Sequence, residues 1–503
     1  MFRKSKILLI TAGLSTVAAW SGAEAPATEA ADEGPVLRLG EAVHRALEHN
    51  LSLGIARLEP QIAADAEVIE EAVFDFSLFG TADYTRRDRP VATDVTEGTE
   101  TTTRRYSFGA RQPFSTGTIV TAETALVERD TNAEQAIGTR DAEFALGLNQ
   151  SLWRGFGREV NLAQLRRARI GTETERLRFR NAILDVLAQT ETAYWDLAYA
   201  YRDRELRESS IRVAESLLEE TRERERLGLA TRLDVLQARA NLAERQEDIL
   251  FAQQELEAAH DRLLILLGAL DESLALDATS RVSALPEEFA EPPEFSTVWR
   301  RTLDQNPDTL VQEAVVEQRR LDRVVARDRT RPTVDLSAGV GVLGVDIDDR
   351  WSAYDSALNK DGHFWRVGVQ FNMPWGFAAE RAQLRQAGRR LEQEEIRLFD
   401  IKQRLLEQTR RAWRQLRTSE ERLSAASLTL ELQEESFEQE RSRFETGLST
   451  FRAVLESQRD LDNARNSRLR AVIERIRAEV DLHRIDGTLL ERHGFAWDEV
   501  EVP

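Results

Sequence analysis

The chain has 503 residues, a formal net charge of −20 and no cysteine. The negative charge argues against a nucleic-acid partner, because a phosphate-binding surface needs a basic patch. The lack of cysteine excludes disulfide bonds, thiol chemistry and lipid modification of an N-terminal cysteine.

Residues 1–23 are predicted to be a secretory signal peptide. Basic residues at positions 3, 4 and 6 precede a short apolar run over 7–19, and small residues at 21–23 offer a cleavage site. The run is too short to cross a membrane as a helix, and no later run of about 18 apolar residues occurs. We expect an exported protein without a transmembrane helix, and a flexible Ala-, Glu- and Pro-rich segment over 24–37.

The first half of the mature chain, residues 38–269, begins with predicted helices at 40–49 and 51–73. Apolar residues of the second helix follow the helical period at Ile55, Leu58, Ile62 and Ile69. The apolar pattern then changes to strict alternation, which predicts strands between about 76 and 152. Four strands are expected, at 76–86, 105–111, 120–126 and 142–152, with polar loops at 88–103 and 129–140.

Two very long helical runs follow the strands. Residues 158–227 contain no proline, which predicts a helix on the order of 100 Å long at ~1.5 Å per residue. A second run covers 231–267, so that 157–268 forms one helical hairpin. Residues 270–295 contain three prolines and are predicted to be a linker.

The second half of the chain, residues 296–488, repeats this order. A helix at 307–329 precedes predicted strands at 332–342 and 365–373, with a loop at 345–362 between them. A second helical hairpin covers about 377–486, and a tail covers 489–503. The second half therefore has two strands where the first half has four.

A short motif marks the bend of each predicted hairpin. Gly-Leu-Ala-Thr starts at Gly228, and Gly-Leu-Ser-Thr starts at Gly447, which is 219 positions later (447 − 228). Glycine after a helical run is a typical C-cap, and threonine before the next run is a typical N-cap. Two copies at a fixed spacing predict an internal duplication.

The predicted strands have the pattern of membrane-spanning β-strands. They alternate strictly and carry aromatic residues near their ends, as outer-membrane strands do; an ordinary half-buried sheet is the alternative. Six strands cannot close a membrane barrel, which needs at least about eight, and open edges cannot face lipid. If the strands lie in a membrane, several copies of the chain must contribute to one barrel.

No catalytic, cofactor-binding or metal-binding constellation is found in the sequence. Gly339-Val-Gly-Val-Leu-Gly344 matches the G-x-G-x-x-G pattern, but it lies inside a predicted strand and opens no helix. The six histidines are scattered. The sequence therefore predicts no enzyme.

These features together resemble the TolC family of outer-membrane efflux proteins. The resemblance rests on the two bends with their Val-Leu continuation, the duplicated helix–strand–strand–helix order, and Gln150-Ser-Leu-Trp-Arg-Gly-Phe-Gly157 before the long helix. It implies a mainly α-helical fold with membrane β-strands, in which helical hairpins of a homotrimer form an α-barrel tunnel below a shared β-barrel. It also implies a Gram-negative outer-membrane channel that conducts cargo passively, with the tunnel in the periplasm.

The resemblance further implies two kinds of partner. One is a periplasmic adaptor protein, and the other is an inner-membrane pump or secretion ATPase that supplies the energy. The alternatives are that the chain is itself a periplasmic adaptor, or a structural coiled-coil protein of the envelope. Adaptors have one hairpin, whereas this chain has two. The cargo is not specified by the sequence.

The resemblance also assigns roles known in the family to particular residues of this chain. The bends that contact the adaptor are formed by Leu227, Gly228, Leu229, Ala230, Thr446, Gly447, Leu448 and Ser449. Candidates for narrowing the periplasmic entrance are Asp234, Gln237 and Glu456. The second half departs from the family pattern, because Ala453 replaces one acidic residue of the entrance and Ser449 replaces a basic one.

The strand count is a second departure, since the family has two strands in each half. Either residues 106–126 form an extracellular hairpin or extended strands above a twelve-stranded barrel, or the barrel is wider. The hairpin is the preferred prediction.

Overall fold

The structure is a computed structural model that describes residues 36–88, 100–132, 138–268, 281–286, 288–347, 349–359 and 362–495. The predicted signal peptide, residues 24–35 of the predicted flexible segment, 270–280 of the linker and 496–503 of the tail lie outside the described residues.

Long helices dominate the described part of the chain. The α-helices are α1 (Leu39–His49), α2 (Leu51–Glu71), α3 (Arg158–Asn161), α4 (Ala163–Arg226), α5 (Arg232–Leu266), α6 (Phe295–Gln305), α7 (Pro307–Asp328), α8 (Arg350–Leu358), α9 (Ala378–Glu445), α10 (Phe451–Asp486) and α11 (Leu489–Arg492). The 64 residues of α4 and the 68 of α9 correspond to lengths of about 100 Å at ~1.5 Å per residue. Both predicted hairpins are confirmed, as α4–α5 and α9–α10.

The strands are β1 (Val36–Leu37), β2 (Ser77–Asp88), β3 (Glu100–Pro113), β4 (Thr118–Thr131), β5 (Thr139–Ser151), β6 (Arg281–Val282), β7 (Thr333–Asp346) and β8 (Gly362–Asn372). All six predicted strands form one antiparallel sheet in the order β2-β3-β4-β5-β7-β8. The sheet joins the two halves of the chain through β5 and β7. Residues 88, 100–103, 129–131 and 139–140, which were predicted to lie in loops, instead extend the strands, because cross-strand hydrogen bonding holds these polar residues in register.

The β3–β4 hairpin lies within this sheet. Its turn, residues 114–117, is at the same end as the starts of β2 and β7, both of which follow helices. The predicted extracellular hairpin above the sheet is therefore wrong. Pairing on both sides holds these strands in the sheet, with Leu78 opposite Ala110 and Ala122 opposite Leu146.

The two faces of the sheet differ in polarity. Residues directly opposite in the register share a face. One face carries the apolar residues Leu78, Ala82, Phe108, Ala110, Val120, Ala122, Leu146, Leu148, Leu336, Val340, Val367, Val369 and Phe371. The other carries mostly polar or small residues, among them Thr81, Asp83, Arg105, Glu123, Asn149, Ser337, Gly339, Arg366 and Gln370. We call these the apolar face and the polar face.

Helix α8 interrupts the segment 345–362, which was predicted to be a loop. Ala353 and Ala357 are fully buried against Leu126 and Ala142 of the apolar face. Asp349 caps the helix by accepting a hydrogen bond from the backbone nitrogen of Ser352, 3.2 Å away. The helix depends on this packing, which the local sequence does not reveal.

The largest apolar core lies around the middle of α4 and joins distant parts of the chain. The Tyr194 hydroxyl donates to the Leu37 carbonyl at 2.9 Å and accepts from the Ser283 backbone nitrogen at 2.9 Å. Leu489 and Leu490 of α11 are fully buried in the same core. The end of the predicted flexible segment and the start of the predicted tail are thus ordered, because they bury apolar side chains. No helix in the described ranges has the length and apolarity needed to cross a membrane.

Candidate functional site

The first bend, residues 227–230, joins α4 to α5 through local backbone hydrogen bonds. Gly228 has a φ of +76°, which favours glycine. The backbone nitrogens of Leu229 and Gly228 donate to the carbonyls of Arg224 and Glu225 at 2.8 and 2.9 Å, which is a Schellman motif. Thr231 then caps α5. The sequence prediction of a C-cap glycine followed by an N-cap threonine is confirmed here.

The second bend, residues 446–449, repeats this geometry. Gly447 has a φ of +77°, and the backbone nitrogen of Leu448 donates to the Arg443 carbonyl at 2.8 Å. Thr450 caps α10 by accepting from the Ala453 nitrogen at 3.3 Å. One difference is that the hydroxyl of Ser449 is hydrogen-bonded to Glu440 in the preceding helix. The two bends therefore have the same backbone and different side-chain anchors.

The structure brings the two bends together. Phe444, Phe451, Val454, Leu217 and Val235 belong to one buried cluster, which draws on both hairpins. Since the cluster lies directly behind the bends, both bends occupy one end of the molecule.

Apolar side chains project from this end. Leu229 and Leu448 expose 75% and 73% of their surface, and Leu227 is also exposed. Leu233 and Leu236 on the first turns of α5 are exposed as well, and sequence reasoning missed them. The spacing of three residues between Leu233 and Leu236 places them on one side of α5. Clustered exposed leucines of this kind are typical of a protein-binding surface.

The three entrance candidates lie just behind the bends. Gln237 and Glu456 are exposed. The Asp234 carboxylate accepts hydrogen bonds from the Thr231 backbone nitrogen and hydroxyl at 2.8 and 2.7 Å, which completes a capping box at the start of α5. Asp234 thus has a structural role in addition to its predicted role at the entrance, and that second role stays a prediction.

A buried polar network joins the hairpins nearer the middle of the helices. Ser210 donates to Asp462 Oδ1 at 2.9 Å, and Arg245 lies 3.0 Å from Asp462 Oδ2. Burial raises the pKa of the Asp462 carboxyl, although Arg245 and Ser210 favour the charged form. The network links α4, α5 and α10. In the described ranges, no group of acidic or histidine side chains could hold a metal ion.

The opposite end of the molecule is the sheet. Away from α8, its apolar face is exposed in the single chain, with Trp365, Val367, Val369 and Phe371 each more than 60% exposed. Aromatic residues lie towards both ends of the strands, Tyr84 and Trp365 at the outer end and Phe371 at the end that joins the helices. An apolar band between aromatic residues is the pattern of a lipid-facing wall.

The sequence profile of the outer membrane efflux protein family matches residues 42–269 and 298–488, which is most of the chain. The chain belongs to the outer membrane efflux protein family. This family membership confirms the resemblance inferred from the bends and strands, and it identifies the protein as an outer-membrane efflux channel. Nothing in the comparisons supports the periplasmic-adaptor alternative.

Solved structures of channels of this family have the same fold. The outer-membrane channel OprN is 20% identical, with a TM-score of 0.68 and coverage of 89% of both chains. The CmeC channel of Campylobacter jejuni is 17% identical, with a TM-score of 0.65 over 89% of this chain and 85% of that one. The MtrE channel of Neisseria gonorrhoeae, solved in its open state, is 18% identical, with a TM-score of 0.64 over 92% and 93%. No curated protein matched the sequence.

Proposed function

We propose that the protein is the homotrimeric exit duct of a tripartite efflux pump or a type I secretion system. In this proposal it conducts cargo passively across the periplasm and the outer membrane. The observation that carries the proposal is the arrangement of two unlike surfaces at opposite ends of one chain. The sheet has an apolar face suited to lipid, and the bends expose leucines suited to a protein partner.

The need for several copies follows from surfaces that the single chain leaves uncovered. Ile55, Leu58, Ile62 and Ile69 on α2 are each more than half exposed, although their spacing makes one apolar stripe. Ile396 and Phe399 on α9 are exposed in the same way. These residues are where neighbouring copies would pack, and three copies are the number that the family implies.

The bends are proposed to bind a periplasmic adaptor. Leu227, Leu229 and Leu448 would pack against the adaptor's own helical hairpin, as clustered apolar side chains at a protein interface do. In this proposal the chain is a passive channel, and an inner-membrane pump or secretion ATPase supplies the energy for transport. Asp234, Gln237 and Glu456 are proposed to narrow the entrance behind the bends.

Membrane fractionation and native mass spectrometry test the duct. We expect the protein in the outer-membrane fraction, with heat-modifiable migration and the mass of a trimer. Protein that stays soluble after cell breakage, or that is a monomer in detergent, would contradict the proposal.

Adaptor binding is tested separately with periplasmic adaptor proteins from the same genome. Leu229→Asp combined with Leu448→Asp should weaken binding at least tenfold, because two charges would have to be desolvated at the interface. Leu229→Met with Leu448→Met is the matched control and should bind normally. Equal binding by the aspartate variant would show that the bends do not form the docking surface.

A further inference from the structure

The β3–β4 hairpin distinguishes the first half of the chain from the second, and it is fully integrated in the sheet. Residues 100–111 pair with β2 on one side, and residues 118–129 pair with β5 on the other. Its apolar residues, such as Phe108 and Ala110, share the face that carries Leu78 and Leu146. The hairpin therefore has the same two faces as the rest of the sheet.

Contacts at the helix end fix the hairpin in this position. Gln112 donates from Nε2 to the Phe74 carbonyl at 2.6 Å. The Gly157 backbone nitrogen donates to the Thr116 carbonyl at 3.1 Å. Gly117 has a φ of +84°, and a Cβ atom there would lie 2.4 Å from the Gly155 carbonyl oxygen. The turn is thus packed closely against the segment that leads into α4.

Both edges of the sheet are unpaired, and their directions are complementary. Each of β2 and β8 has one strand neighbour in the described sheet. Strand β2 leaves the helix end and β8 returns to it, so β8 of one copy would lie antiparallel to β2 of the next. In lipid each edge must be paired, because unpaired backbone N–H and C=O groups find no hydrogen-bond partner in hydrocarbon.

We infer that three copies of this chain close one eighteen-stranded barrel, in which β3 and β4 of every copy are part of the wall. This inference rests on the homotrimer of the proposed function. It sets the diameter of the channel where it leaves through the outer membrane. The occupant of each open edge is a second copy of this chain, because its other edge supplies the antiparallel strand.

The strand number sets the width of the exit. With strands about 4.8 Å apart and tilted by about 40°, eighteen strands give a backbone diameter of roughly 36 Å, against roughly 24 Å for twelve. The cross-section is therefore about twofold larger than that of a twelve-stranded wall. The hairpin also adds charges to the polar face, where Arg105 lies 3.6 Å from Glu123.

Cryo-electron microscopy of the full chain in lipid nanodiscs tests the strand number directly. We expect a trimer with eighteen strands in the membrane. A trimer with a twelve-stranded wall would overturn this inference and leave the proposed function intact. A particle that is not a trimer would overturn both.

A deletion provides a second test. Removing residues 91–136 joins β2 to β5 through a short outer loop, which should give twelve strands and a cross-section about twofold smaller. The wall is measured by cryo-electron microscopy and by the size of polyethylene glycol that is excluded from the outer side. An unchanged exclusion size in a folded deletion trimer would contradict the inference.

A fluorescence test does not depend on the deletion variant folding. The chain has no cysteine, so single cysteines can be labelled specifically. A bimane at Ala110→Cys, on the apolar face of β3, should be quenched by nitroxide-labelled lipids. A bimane at the neighbouring Arg111→Cys, on the polar face, should not. Absence of quenching at both positions would place the hairpin outside the wall and overturn the inference.

Discussion

Arg224 of the first helical hairpin lies over the aromatic ring of Phe444 of the second, with 4.1 Å between the guanidinium carbon and the ring centroid. Its Nη1 also donates to the Phe444 carbonyl at 3.2 Å. Because each residue belongs to the last turns before a bend, this pair joins the two bends of one chain. We therefore expect a partner that binds one bend to act on the other as well.

Removing this contact should loosen the tip. Arg224→Met keeps most of the aliphatic stem and loses the cation–π interaction, the hydrogen bond and an ion pair with Glu220 on its own helix. The first two together contribute roughly 1–2 kcal/mol. We expect faster proteolytic cleavage at residues 227–231 and 446–450. Arg226→Met is the matched control, since Arg226 is exposed and its ion pair is with Glu223 on its own helix. Equal cleavage of the two variants would show that the Arg224–Phe444 pair does not couple the bends.

The apolar face of the sheet predicts which substitutions the membrane tolerates. Val369→Arg places a charge on the lipid-facing side and should cost about 2–4 kcal/mol near the middle of the bilayer. The amount of trimer in the outer-membrane fraction should fall. Gln370→Arg, one residue along on the polar face, should leave assembly unchanged. Loss of assembly by the second variant and not by the first would mean that the faces are assigned the wrong way round.

The two roles of Asp234 can be separated. Asp234→Asn combined with Glu456→Gln should raise single-channel conductance in planar bilayers, or weaken block by cations, if these carboxylates line the entrance. Thr231→Ala is the control, because it removes the N-cap and leaves both charges in place. It should lower helix stability by about 1 kcal/mol without changing conductance. Unchanged conductance in the double variant would contradict the entrance assignment.

The pair of Glu191 and His493 predicts a dependence on pH. Their Oε2 and Nε2 atoms are 3.0 Å apart, and both side chains are buried. Burial raises the pKa of Glu191, but the hydrogen bond to His493 and the charge of Arg492 outweigh it and hold the pKa below its ordinary value of 4.5. A carboxyl whose pKa is lowered by folding stabilises the folded state at pH values above its ordinary pKa. This contribution declines once the pH falls below the ordinary pKa and is lost as the pH falls through the lowered pKa of the folded state.

Glu191→Gln tests this dependence by thermal unfolding of the helical circular dichroism signal. The variant should unfold at a lower temperature than the wild type at neutral pH, with a loss of roughly 1–3 kcal/mol. The difference should shrink as the pH falls below 4.5. Glu421→Gln, at an exposed ion pair with Arg417, is the control and should have little effect. A difference that is the same at every pH would contradict the assignment.

Local signals accounted for the parts of the fold that sequence analysis predicted well. Gly228 and Gly447 need only their own φ angles and their neighbouring threonines to define the bends. The long helices follow from the absence of proline and the apolar period. The strands follow from alternation, which also separates the apolar face from the polar face.

Longer-range contacts decided what the sequence did not reveal. Residues 100–103 became strand because β2 pairs with them, and α8 formed because Ala353 and Ala357 are buried on the sheet. The position of the β3–β4 turn depends on Gly117 packing against Gly155. At the candidate tip, the exposure of Leu233 and Leu236 follows from how α5 packs, which the apolar period alone does not specify.

The β3–β4 hairpin shows how a channel of this kind can acquire a wider β-barrel. A single inserted strand would reverse the direction of everything after it and send the long helices to the wrong side of the membrane. A pair of strands brings the chain back to the side it left, so α4 starts where it would have started without them. The diameter of the β-barrel can therefore increase in steps of two strands per chain, which is six strands in the proposed trimer. The helical end that meets a partner keeps its dimensions.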